Sequence, residues 1–155
     1  IDMLWNNSVD FVLNETQSHF DEIKIICTHC AINNIPFIIC LFVTEDGNIL
    51  SGESLSTILK YVKDFNPIAV GINCINTKTF SKVVRNIDNE YRWGFYLNCG
   101  NGNYTDKEIF EGITPANYID TIDIKIKNKP FFIGSCCGSS PKHTKAIKDF
   151  LIGKN

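Results

Sequence analysis

The chain has 155 residues, a formal net charge of −2 and 44% hydrophobic residues, enough for one sizeable core and too little for two. Acidic and basic residues are interspersed, which excludes the basic stripe of a nucleic-acid binder and the polybasic edge of a membrane-surface protein. No apolar run approaches the ~20 residues of a membrane span, and the N-terminus lacks the charged-then-apolar order of a secretory signal, so the expected compartment is the cytoplasm. Seven cysteines, an odd number with two of them adjacent, suit a reduced protein that uses thiols for metal or catalytic chemistry better than a disulfide framework.

A short apolar strand, a turn and a helix-length amphipathic segment recur five times at a spacing of roughly 30 residues, the period of βα units. The first strand is expected from Phe11 to Asn14 and its helix from Phe20 to Asn33, where Ile23, Ile26, Cys27 and Cys30 recur at helical spacing. The second strand is the unbroken apolar run Phe37 to Val43. A turn at Asp46-Gly47 and an N-cap at Ser54 lead into a helix reaching Phe65.

The third strand, Ile68 to Asn73, ends at Cys74, and Thr77 is the expected N-cap of a helix reaching Asn89. Phe95 to Asn98 form the fourth strand. The long loop Gly100 to Gly112 that follows is of a length usually reserved for function. A helix from Pro115 to Lys127 precedes the last strand, Phe131 to Gly134. That strand runs into Ser135-Cys136-Cys137-Gly138, and Ser140 as N-cap with Pro141 at the first helical position opens the final helix.

Such a series predicts a parallel sheet, either an open doubly wound one or a piece of an eight-fold barrel. In both, ligands bind at the carboxyl ends of the strands, where Cys74, Cys99, Cys136 and Cys137 fall. Cys74, Cys136 and Cys137 are candidate metal ligands. A catalytic zinc takes three protein ligands and leaves one position open, and Gly134 and Gly138 permit the tight backbone path that turns two adjacent sulfurs toward one ion. The bland alternative is that the adjacent cysteines are small core residues.

Gly71-Ile72-Asn73-Cys74, followed downstream by Gly134-Ser135-Cys136-Cys137-Gly138-Ser139-Ser140-Pro141, resembles the paired zinc motifs of the homocysteine S-methyltransferases. Asp10 to Thr16 resembles that family's strand ending in Glu-Thr, Asp46 to Ser51 its D-G…L-S turn, and Tyr96 to Gly100 its Y-P-N-S-G segment, so the resemblance covers nearly the whole chain. Ser135 departs from the zinc motif. Leu97, Cys99 and Asn101 depart around the tyrosine-asparagine-glycine signature, and Gly52 and Glu53 after Ser51.

The resemblance implies a (β/α)8 TIM barrel of which residues 1–155 form a single partial domain, strands four to eight. The family's first three strands have no counterpart, which implies self-association or a missing N-terminal half. It also implies zinc on Cys74, Cys136 and Cys137, homocysteine as methyl acceptor, and S-methylmethionine or S-adenosylmethionine as donor. Glu15 would receive the homocysteine amino group, and Asn73 and Asn98 would orient substrate. The alternatives are a non-catalytic zinc-binding fragment and the homocysteine-binding part of a cobalamin-dependent methionine synthase. Elsewhere, Cys27-Thr28-His29-Cys30 lies mid-helix and reads as packing, as does Cys40 in its buried strand; Cys99 reads as structural, and His19 and His143 as loop and helix-surface residues.

Overall fold

The computed structural model describes residues 1–87, 90–101, 109–125 and 129–153. A short helix α1 (Asp2–Trp5) precedes the alternating series β1 (Val12–Gln17), α2 (Phe20–Ile32), β2 (Phe37–Leu41), α3 (Leu55–Lys63), β3 (Ala69–Asn76), α4 (Thr77–Val83) and β4 (Trp93–Asn98). After β4 the chain forms a two-stranded antiparallel ribbon, β5 (Gly100–Asn101) and β6 (Phe110–Glu111), then α5 (Pro115–Lys125), β7 (Phe132–Ser135) and α6 (Pro141–Gly153).

The five long strands are all parallel and lie in the order β1-β2-β3-β4-β7, each beside its predecessor in the βα series. A doubly wound sheet reverses its strand order at a switch point and carries helices on both faces. Here nothing reverses, so right-handed crossovers place the helices on one side. The side chains follow this arrangement: Val12, Ile39, Leu41, Val70, Ile72, Phe95 and Leu97 join the helices in one large core. The alternate positions Ile38, Cys40 and Ala69 join Tyr96 and Phe132 in a small cluster on the opposite, concave face. Sequential winding with one helical layer is the plan of a βα barrel.

Local sequence explains the element ends. Ser54 caps α3, its side chain accepting the Thr57 amide. The cap of α4 is Asn76, whose Oδ1 accepts the Thr79 amide at 2.8 Å, and not Thr77; asparagine is the more strongly preferred cap of the two. That helix ends at Val83 and tightens into a 3-10 turn, Val84–Asn86, short of the expected Asn89, which lies outside the described residues. The expected loop from 100 to 112 closes on itself through the β5–β6 pairing; its residues 102–108 also lie outside the described ones, as do 126–128 beyond α5. Cys27, Cys30 and Cys40 are fully buried, as the packing reading requires.

On the concave face, Gly71 and Gly94 are register partners, and the Phe132 ring lies across both. A Cβ at Gly94 would stand 2.5 Å from Phe132 Cγ and 2.6 Å from its Cδ2. The aromatic ring thus takes the volume that two side chains would occupy. Gly94→Ala is expected to lower stability by about 1–3 kcal/mol through this overpacking, measured as a reduced urea midpoint; an unchanged midpoint would mean that Phe132 moves aside freely.

Candidate metal centre

Period-two alternation would send Cys74, like Ile72 two residues before it, into the helical layer. The backbone prevents this. The β3–β4 register slips between Asn73 and Asn76, and Cys74 itself sits in the left-handed region at φ 57°. A bulge of this kind re-aims a side chain, and the Cys74 sulfur comes to lie 3.3 Å from that of Cys136.

A second bulge stands opposite. The β1–β2 register slips between Asn14 and Gln17, with Thr16 at φ 58°. Positive φ is rare for a β-branched residue, and positions of this type cost on the order of 1–3 kcal/mol unless their surroundings over-determine them. Asn73 supplies that support. Its Oδ1 accepts the Thr16 amide at 3.0 Å and its Nδ2 donates to Thr16 Oγ1 at 2.7 Å. From this clamp, Asn73 Nδ2 and Thr16 Oγ1 lie 3.5 and 3.9 Å from Cys74 Sγ.

Cys136 and Cys137 arrive at the end of β7, where the Cys136 amide bonds Leu97 O at 2.9 Å and the Cys137 carbonyl accepts the Cys99 amide at 2.7 Å. Gly138, at φ 71°, turns the chain against Gly100; a Cβ there would stand 2.5 Å from Gly100 N, so only glycine permits the close approach. The sulfurs of Cys74, Cys136 and Cys137 all lie within 4.8 Å of one another, each residue half-buried. Three thiolates bonded at ~2.3 Å to one tetrahedral ion stand roughly 3.8 Å apart. That spacing lies between the 3.3 Å of the Cys74–Cys136 pair and the 4.8 Å that bounds the triad, so small side-chain adjustments bring the three sulfurs to a soft divalent cation.

Hydrogen bonding from Cys136 pulls the Cys74 thiol from 9.0 to about 6, and the same bond, with burial, holds the Cys136 proton in place well above the ordinary thiol range. The shared hydrogen bond thus favours a thiolate on Cys74 with the proton on Cys136, an arrangement suited to a cation. Cys99 is buried, its thiol raised to about 11 by burial, and its sulfur faces Leu97 O rather than the triad.

Of the remaining expected site residues, Glu15 is exposed on the concave side and accepts a hydrogen bond from Tyr96 Oη at 2.9 Å. Asn98 accepts the Gly100 amide at 2.8 Å and lines a cleft of about 240 Å³ together with Cys74, Phe42, Leu50 and Asn76. Asn73 is buried, with both ends of its amide committed to Thr16. Thr16 enters the sequence reading only as the end of the Glu-Thr stretch, without a role of its own, because its importance rests on a contact 57 positions away. His143 corrects an expectation: it is fully buried, not on the helix surface, since Ser140 and the carbonyl of Ile113 satisfy both ring nitrogens.

A family model described as homocysteine S-methyltransferase matches residues 1–151. The chain belongs to the homocysteine S-methyltransferase family. No curated protein sequence matches it. Among solved structures, the homocysteine methyltransferase MmuM from Escherichia coli is similar in its apo, metallated and oxidized forms, with TM-scores of 0.73, 0.73 and 0.74 at 18% identity. These alignments cover 96% of this chain and 52%, 47% and 48% of the respective MmuM chains. The chain thus spans about half the length of those structures, and its five-stranded sheet is a segment of the TIM-barrel fold. No helix among the described residues is long and apolar enough to cross a membrane.

The metal-free chain should show selective thiol chemistry. Cys74 is ionised above about pH 6, whereas burial raises Cys27 to about 12 and Cys40 to about 11. Alkylation by iodoacetamide, mapped by mass spectrometry, is expected at Cys74 before either of them, with the rate falling as pH drops through 6. Equal labelling of Cys74 and Cys40 at pH 7 would contradict the hydrogen-bonded pair.

Proposed function

We propose that this chain is the C-terminal, zinc-carrying portion of a cytoplasmic homocysteine S-methyltransferase, a single partial barrel domain that helps transfer a methyl group from a sulfonium donor to homocysteine, giving methionine. The convergence of three cysteine sulfurs at the strand ends, in a chain of this family, carries the reading. Cys74, Cys136 and Cys137 would hold the ion. Bound there, zinc would supply Lewis-acid stabilisation of a substrate thiolate at neutral pH.

The chain's own residues set the conditions around that centre. Thr16 and Asn73 orient the Cys74 sulfur and donate toward it, which keeps it in its ionised form. Glu15 offers a carboxylate to the homocysteine ammonium group, a charge-assisted contact, and the Tyr96 hydroxyl fixes one of its oxygens. Asn98 and the half-buried Phe42 line the cleft beside Cys74, where a small amino-acid substrate can enter. Asn73, in this reading, serves substrate indirectly by holding the bulge.

The half-length match to MmuM supports a second reading, a non-catalytic zinc-binding fragment. Two measurements separate them. Zinc content by elemental analysis should be about one per chain and fall to near zero in Cys136→Ser; retention of zinc by that variant would refute the ligand set. Methionine formation from homocysteine should appear with S-methylmethionine or S-adenosylmethionine for this chain or for a longer form containing it. Zinc binding without turnover in either form would favour the fragment.

A further inference from the structure

His143 is two residues into α6 and completely buried, yet nothing in the proposed chemistry uses it. Its surroundings define its protonation. The Ile113 carbonyl, 2.8 Å from Nε2, can only accept, so Nε2 carries the hydrogen. Nδ1 is then the acceptor, 3.1 Å from the Ser140 amide and 3.2 Å from the Ser140 hydroxyl. Within the first turn this is one half of a capping box, with histidine in place of the usual glutamate: its side chain reaches back to the Ser140 amide, while its own amide bonds the Ser140 carbonyl at 2.9 Å.

A cap alone would need only Nδ1. The other nitrogen reaches across 30 positions to Ile113, and Ile113 leads back to the metal centre. Its amide and that of Gly112 bond the Cys99 carbonyl at 2.9 and 3.1 Å, and the Cys99 amide bonds the Cys137 carbonyl at 2.7 Å. The chain from Cys137 to Ser140 and His143 completes a closed circuit that begins and ends at the cysteine pair. Every other link in it is backbone to backbone. His143 is the one link made by a side chain, and hence the one a substitution can cut.

Resting on the ligand set proposed above, we infer that His143 is a positioning residue for the metal centre: its two ring nitrogens lock the start of α6 to Ile113 and thereby fix the loop that presents Cys136 and Cys137. Groups that orient metal ligands from behind typically cost 10–100-fold in affinity when lost. One step further out, the expected loss is about tenfold.

The test is cobalt(II) titration of the chain, read by sulfur-to-cobalt charge-transfer absorption, with affinity from chelator competition. His143→Leu removes both bonds, and His143→Asn retains the cap but is too short for Ile113; both should bind cobalt about tenfold more weakly, with an altered absorption band. His143→Gln places an amide donor near the Nε2 position and should recover most of the affinity. Val62→Ala, a buried truncation in α3, should lower thermal stability without changing the cobalt spectrum. The inference is overturned if the Leu and Asn variants match wild type while Cys136→Ser loses the metal, or if Val62→Ala weakens binding as much as His143→Leu. Undiminished cobalt binding by Cys136→Ser would overturn the ligand set and the inference together.

Discussion

The metal centre depends on a backbone that breaks its own pleat. A parallel strand alternates its side chains strictly, and Cys74 in regular register would bury its sulfur among the helices. The left-handed turn at Cys74 delivers it to Cys136 instead. Such a conformation is unfavourable for a residue with a Cβ, and it persists because Asn73 and Thr16 exchange two hydrogen bonds across β2. The strain of two bulges is matched by one reciprocal clamp.

Around this clamp the fold divides its labour between two faces. The helical side supplies nearly all the apolar burial, with Phe80, Phe95, Tyr118 and Ile58 among its fully buried side chains. The concave side is thin and partly polar: Glu15, Tyr96 and Cys40 stand beside Phe132, above strands whose Gly71 and Gly94 have no side chains. Burial pushes the Tyr96 hydroxyl far above its ordinary range, so it remains a hydrogen-bond donor to the Glu15 carboxylate. The helical face thereby carries most of the stability, while the chemistry gathers at the carboxyl ends of the strands, as in the barrel plan.

The second half of the centre is built from loop backbone. Cys136 and Cys137 follow a four-residue edge strand, and their amide and carbonyl groups bond Leu97 and Cys99 beyond β4. The tight turn at Gly138 against Gly100 and the buried His143 keep that loop short and closed. A buried polar network in which every member is satisfied rigidifies its surroundings, and rigidity is what a three-sulfur site needs from a loop.

Much of this was legible along the chain. The βα period, the cap at Ser54, the burial of Cys27, Cys30 and Cys40, and the placement of Cys74, Cys136 and Cys137 at strand ends all rest on local pattern: hydrophobic spacing, capping chemistry and motif order. Three matters required the tertiary structure. Strand order decided for sequential winding over a doubly wound sheet, because pairing between strands leaves no trace in the spacing within them. The left-handed turns at Thr16 and Cys74 could not be foreseen, since neither residue favours positive φ and the Asn73–Thr16 clamp beside them forms only between strands. His143 looked like a surface residue because helical position alone hides its partner. The carbonyl that makes its burial tolerable belongs to a segment 30 positions earlier, and only folding brings the two together.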